Sequence, residues 1–130
     1  MPVTYSIDTT RRLIHTVCVG PVCLEDVVDH FTALKNDPAC VGSMDVLLDV
    51  SEVDSVPESN QLRVVGSQIA AIRQKVQFEL CAIIAERDVM YGMMRVFGVF
   101  AERWFREIRV FRKVANAEAW LLQPERRVAG

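Results

Sequence analysis

Two short runs of this sequence gather side chains able to orient a polar ligand. One holds Ser51, Asp54, Ser55, Glu58 and Ser59; the other holds Arg87, Asp88 and Tyr91. Hydroxyls, carboxylates and a guanidinium can fix an anion or a polar head group by directed hydrogen bonds. Each run follows an apolar stretch, Val46–Val50 or Phe78–Ala85, and each precedes helical periodicity. In an α/β protein such strand-to-helix loops lie beyond the carboxyl ends of the strands, where ligands bind. These eight residues form the candidate polar ligand-binding group. The plainer reading makes Asp88 a helix cap and the serines loop solvation.

A second group is His15, Cys18, Cys23 and His30. Their spacings match no zinc pattern, and His15 and Cys18, three apart on one strand, face opposite sides of it. No metal ligand is assigned and no cofactor is expected. A cysteine nucleophile needs an exposed thiol beside a base. Cys81 and Cys18 fall in apolar strands, which leaves Cys23 as the best-placed thiol. Asp49 interrupts an apolar strand, where burial would perturb it, but capping the adjoining loop suits it better. No glycine-rich phosphate loop, serine triad or carboxylate pair is present, so no catalytic residue is assigned.

A third feature is apolar. Met90, Met93, Phe97, Phe100 and Trp104 share one helical stripe, which Met94 and Phe105 widen. Such a helix is core, a subunit contact, or the wall of an apolar cavity, and methionine adapts to variable apolar partners. The cavity-or-dimer candidates are Met90, Met94, Phe97, Phe100 and Trp104.

These groups must be positioned by 130 residues, enough for one domain with a real core. The formal net charge of -2 gives no pull toward nucleic acid. Residues 1–85 carry 6 Lys/Arg against 11 Asp/Glu, whereas residues 86–130 carry 9 against 6. Arg103, Arg106, Arg109 and Arg112 either meet an anion or pair within the molecule. The start has no basic segment leading into an apolar run, and no stretch reaches the roughly 18 apolar residues of a bilayer span. A cytoplasmic location is expected, with four reduced cysteines.

The pattern predicts strands at Val3–Asp8 and Leu13–Val19, joined by a short turn into an antiparallel hairpin. Helices are predicted over Leu24–Asn36, Glu58–Gln74, Asp88 to about Phe105, and Val114–Leu122. Strands follow at Val46–Val50, Phe78–Ala85 and Glu107–Arg112, the last mixed in character as suits a sheet edge. The fold class is α/β, with a single mixed, mostly parallel sheet in the order β-β-α-β-α-β-α-β-α. The domain spans 1–122, and 123–130 reads as a flexible tail.

Three stretches carry a family resemblance. They are Val46-Leu-Leu-Asp-Val-Ser-Glu-Val53; Cys81-Ala-Ile-Ile-Ala85 followed by Asp88 and Tyr91-Gly92; and Arg109-Val-Phe-Arg-Lys-Val-Ala-Asn-Ala-Glu-Ala-Trp-Leu121. Together with the element order they resemble the STAS superfamily, most of all its small SpoIIAA-like branch. Anti-sigma factor antagonists of that superfamily carry an Asp-Ser pair at the start of the second helix, where a partner kinase phosphorylates the serine. Here that position reads Pro57-Glu58, so the resemblance does not extend to that switch.

The resemblance implies a non-enzymatic module that binds a protein partner or a small ligand. The apolar helix supports an alternative, a carrier or sensor of an apolar or lipid-like ligand held between the 88–105 helix and the sheet. An enzyme using Cys23 or the Ser51–Tyr91 group is the least supported reading. The broad apolar helix and the mixed last strand also lead us to expect a homodimer.

Overall fold

Asp8 ends the first strand and folds the chain back on itself. Its carboxylate accepts the backbone N–H groups of Thr10 and Arg11, both at 3.0 Å, a local turn that Asp favours. The turn ends at Arg12, held at φ 53. It joins β1 (Val3–Asp8) to β2 (Leu13–Gly20), which pair antiparallel as expected. The computed structural model describes residues 2–55 and 57–123. The expected tail therefore lies outside the described residues, apart from Gln123.

The remaining elements alternate: α1 (Leu24–Asn36), β3 (Gly42–Val53), α2 (Ser59–Ile72), β4 (Val76–Ile84), α3 (Asp88–Ala101), a 3-10 turn (Glu102–Trp104), β5 (Glu107–Phe111) and α4 (Val114–Leu121). The five strands form one mixed sheet in the order β1-β2-β3-β4-β5, with every pairing after the hairpin parallel. This is the fold class read from the sequence. The central strand is longer than the apolar run suggests. Polar Glu52 still pairs with Val19, so the ladder outlasts the apolar signal.

Strand order dictates the layers. Three right-handed crossovers that step in one direction place α1, α2 and α3 on a single face. That face holds the larger core, with Leu34 of α1, Leu62 and Ile69 of α2, and Met90, Met94 and Phe97 of α3 over Ile14, Val50, Phe78 and Ile83. The other face carries Leu13, Leu47, Leu80, Ala82 and Ile84 under Ala117, Trp120 and Leu121 of α4.

Two polar anchors join these layers. Lys75, after α2, donates to the carbonyls of Leu34, Lys35 and Asp37 at 3.0, 2.6 and 2.7 Å. A cation there complements the carboxyl end of the α1 dipole. Arg12 donates to the carbonyls of Ser43 and Val41, both at 2.7 Å, and so fixes the start of β3. Gly42 is required beside it: φ is +73, and a Cβ there would lie 2.5 Å from Arg12 Nη2.

The apolar helix faces inward by Met90, Met94, Phe97 and Ala101. Phe100 is exposed, and Trp104 packs its ring against Gly66 of α2, within 3.0 Å of where a Cβ would stand. Met90, Met94 and Phe97 thus belong to the interior. Phe100 stands at the surface, and half-buried Trp104 packs against the margin of the core. On a helix apolar around most of its girth, periodicity alone does not choose between neighbouring stripes, and Gly66 creates the space that draws Trp104 aside.

Candidate functional site

Several members of the polar group predicted at the carboxyl edge are engaged within the molecule. The Arg87 guanidinium donates to the Val53 carbonyl and ties the β4–α3 loop to the end of β3. Arg112 donates to Asp88 at 2.7 Å and to the Glu86 carbonyl at 3.1 Å, and it stacks 4.3 Å over the Tyr91 ring. Asp88 is the first residue of α3, not its cap; Arg87 holds the cap position. Ser51 donates its N–H to Asp49 at 2.9 Å, within an extended strand. The Asp54 N–H reaches the Gly20 carbonyl at 3.0 Å. Glu58 caps α2 and takes the Gln61 side chain on its own N–H at 2.8 Å, while Ser59 begins the helix. One bond, from the Arg87 guanidinium to the Val53 carbonyl, joins the two runs, while Arg112 engages Asp88 and Tyr91. Strand order bears on whether a crevice opens between them. A crevice for polar ligands opens where neighbouring crossovers diverge to opposite faces. Here the order never reverses, so there is no such divergence.

The arginines behave similarly. Arg106 pairs with Glu79 at 3.4 Å, Arg109 with Glu107 at 3.2 Å, and Arg112 with Asp88. Arg103 lies 5.4 Å over the Trp104 ring. Each of these four arginines thus has a partner within the molecule.

Open space lies instead beneath the loops. A cavity of about 190 Å³ separates the sheet from α1, α2 and α3. Its floor is Ile14, Thr16, Cys18, Val46, Leu48, Val50 and Phe78; its roof includes Val27, His30, Phe31, Leu62, Val65, Met90, Met94 and Phe97. Among the described residues no Asp, Glu, Lys or Arg lines it. The exposed members of its wall are Cys23, Leu24 and Ser55, all near the carboxyl edge. The mouth therefore lies between the β2–α1 and β3–α2 loops. Of the predicted polar residues whose side chains are described, Ser55 lines it, and the start of α1 lies across the mouth from Ser55.

Polar groups inside are few. His30 stands on the inward stripe of α1, with Tyr5 and Phe31 edge-on to its ring at 5.4 and 5.3 Å. Its Nδ1 is buried and has no hydrogen-bond partner among the described residues. Burial pushes the imidazole down to about 4, so it is neutral at pH 7. Cys18 is pushed up to about 11, first by burial and then by the Asp49 charge. Cys23 donates its thiol to Asp26 at 3.1 Å. A carboxylate neighbour is the reverse of the electropositive setting that activates a thiol. Among the described residues no group of three His, Cys, Asp or Glu is placed to hold a metal ion.

Sequence reasoning weighed His30 as a metal ligand and missed it as a cavity residue. The signal was present: Val27, His30, Phe31 and Leu34 recur at i, i+3, i+4 and i+7, so His30 is a polar residue on a core-facing stripe.

Comparison with known proteins supports the architecture. No family model and no curated protein matches the chain. Among solved structures, an uncharacterised protein of the DUF3478 family from Shewanella loihica PV-4, with a SpoIIAA-like fold, superposes with a TM-score of 0.64. The match covers 92% of this chain and 91% of that one, at 18% identity. The chain has a SpoIIAA-like fold. Within that fold, Pro57-Glu58 stands at the entrance to α2, and no helix among the described residues is long and apolar enough to cross a membrane.

Proposed function

We propose that this SpoIIAA-like domain is a non-enzymatic module that holds a small apolar ligand between its sheet and its three-helix layer. The cavity carries this reading. A void of about 190 Å³ is large beside the packing defects of ordinary cores, and an engineered apolar cavity of ~150 Å³ in another protein admits benzene. Its uncharged walls repel ions and accept hydrocarbon. Its mouth at the carboxyl edge supplies a route in. The Met/Phe roof, with Met90 and Met94 able to change rotamer, suits an occupant of variable shape.

Native mass spectrometry of the purified chain, with and without prior organic extraction, tests the reading. An extractable adduct, or a thermal upshift with small apolar compounds that Met94→Trp abolishes, is the expected result. A bare mass throughout, with no shift for any compound, would overturn it.

A second reading is that α3 pairs with a second copy of the chain. Val89, Val96 and Val99 are 68%, 60% and 70% exposed along one face of that helix. Light scattering gives a dimer mass if this holds, and Val96→Glu returns it to a monomer.

A further inference from the structure

We infer that two copies of this chain join through the open edges of β5, paired antiparallel about a two-fold axis at Ile108, with the flanks of α3 meeting above that axis; this rests on the dimer reading and is independent of the cavity. Three observations combine. The first is an open edge. β5 ends the strand order, so among the described residues its one strand neighbour is β4. The Phe111 carbonyl accepts the Ala85 N–H at 2.9 Å. Backbone direction alternates along a strand, so Glu107, Arg109 and Phe111 turn their backbone groups to β4 while Ile108 and Val110 turn theirs outward. A row of outward N–H and C=O groups is a template for another strand.

The second observation is charge. Outward residues bond only to outward residues, so a symmetric antiparallel pair has its axis at Ile108, Arg109 or Val110. An axis at Arg109 sets that arginine against its own copy. An axis at Val110 sets Arg109 against the partner's Phe111 and runs Glu107 past the end of the partner strand. An axis at Ile108 places Glu107 opposite the partner's Arg109, twice, in the position where cross-strand side chains come closest. Glu107 and Arg109 already lie 3.2 Å apart on one face, so the pairing extends an ion pair into a four-charge cluster.

The third observation is α3. Gly98 sits over Ile108: a Cβ there would lie 3.6 Å from the Ile108 Cγ2. The helix thus passes the axis at a residue whose lack of a side chain lets a second helix approach. A groove between α3 and β5 is lined there by Arg95, Gly98, Val99 and Glu102. Arg95 and Glu102 flank Gly98, both exposed and in no ion pair among the described residues. The axis at Ile108 runs the two α3 helices antiparallel and brings Arg95 toward the partner's Glu102, again twice. Val99, 70% exposed, is covered in the same step. One axis therefore satisfies both charge patterns.

Sedimentation of the full chain over a concentration series measures dimerisation, and amide hydrogen exchange of the unaltered chain locates the contact. The Ile108 and Val110 amides should exchange freely in the monomer and about tenfold more slowly, or slower still, once the dimer dominates. Glu107→Arg and Arg109→Glu each make two attractive pairs repulsive, so each variant alone should dimerise about tenfold more weakly. Mixed in equal amounts they should form a heterodimer of restored affinity, because every cross-axis pair is then Arg against Glu. A merely structural role for either residue would not be rescued by mixing. The exchange readout needs no variant, so a substitution that misfolds leaves the test intact. Free exchange at Ile108 and Val110 in a protein of dimer mass, or no heterodimer from two folded variants, would overturn this interface. Release of the dimer by Val96→Glu while both single variants stay dimeric would also overturn it, by moving the contact to the outer face of α3. A monomer mass at every concentration would overturn the dimer reading as well.

Discussion

Asp45 and Leu80 are joined across the sheet by a buried hydrogen bond: the carboxylate of β3 accepts the Leu80 N–H of β4 at 3.1 Å. The bond sits at an irregularity. Met44 pairs with Phe78 but Val46 pairs with Cys81, so β4 carries one extra residue there. A bulge of this kind removes a backbone donor from the ladder, and Asp45, 1% exposed, supplies the acceptor. The extra residue shifts the alternation of β4. Phe78 and Cys81 then both face the cavity side, and Leu80, Ala82 and Ile84 face α4.

Replacing Asp45 therefore acts on the register beneath the cavity. Asp45→Ala leaves a buried N–H unpaired and is expected to destabilise the fold by about 2–3 kcal/mol. Asp45→Asn keeps an acceptor and should lose less than half of that. Urea denaturation of the three proteins checks the order; equal stability of Ala and Asn would show that the acceptor is dispensable.

The four free cysteines offer a test of the cavity geometry. Cys23 is exposed at the mouth, Cys40 and Cys81 are buried, and Cys18 lies inside. Burial, with the Asp45 charge second, pushes the Cys81 thiol up to about 12, so neither it nor Cys18 offers thiolate at pH 7. An aromatic disulfide reagent should label one thiol per native chain rapidly, at Cys23, and four in urea. Rapid labelling of two or more in the native state would contradict the placement of Cys18.

Much of this fold is written in local signals. The helix Leu24–Asn36 was legible to the residue, because Gly20-Pro21 precedes it and Pro38 follows it. The β-hairpin and the alternation after it were legible from apolar runs separated by turns. The site was harder, for a physical reason. A cavity is missing volume, summed over side chains from four strands and three helices, and no one residue type announces it. Hydroxyls and charges do stand out in a sequence, yet Arg112 engages Asp88 and Tyr91, and Arg87 is held by the Val53 carbonyl. The buried carboxylate was also displaced: Asp49 drew attention in its apolar strand, but the fully buried acid is Asp45, whose role depends on a bulge in a different strand.

Gly92 provides a clean backbone test on the exposed side of α3. A Cβ added there meets nothing within 4 Å. Gly92→Ala should gain about 0.5–1 kcal/mol from lower unfolded-state entropy and better helix propensity. For a chain of this size that corresponds to a rise in Tm of about 2–4 °C. A fall in Tm would show that another surface, such as that of a second copy, covers the glycine.

His30 makes stability depend on pH in a definite window. Its folded value is pushed down by burial to about 4, against 6.5 for the unfolded chain. Above pH 6.5 the imidazole is neutral in both states and costs nothing in proton binding. As pH falls from 6.5 toward 4, the unfolded chain takes up a proton that the folded one refuses, so stability declines across that interval. The full difference is on the order of 3 kcal/mol and levels off below pH 4. Asp37 acts at lower pH. Its carboxylate is held below the usual range mainly by the 2.7 Å bond from the Tyr5 hydroxyl, so its protonation adds a second loss beneath pH 4. His30→Gln should remove the decline between pH 6.5 and 4 while leaving the lower one. Urea midpoints measured at half-unit pH steps from 7.5 to 3.5 resolve the two transitions, and a flat profile between 6.5 and 4 in the unaltered chain would place the His30 ring in water rather than in the cavity wall.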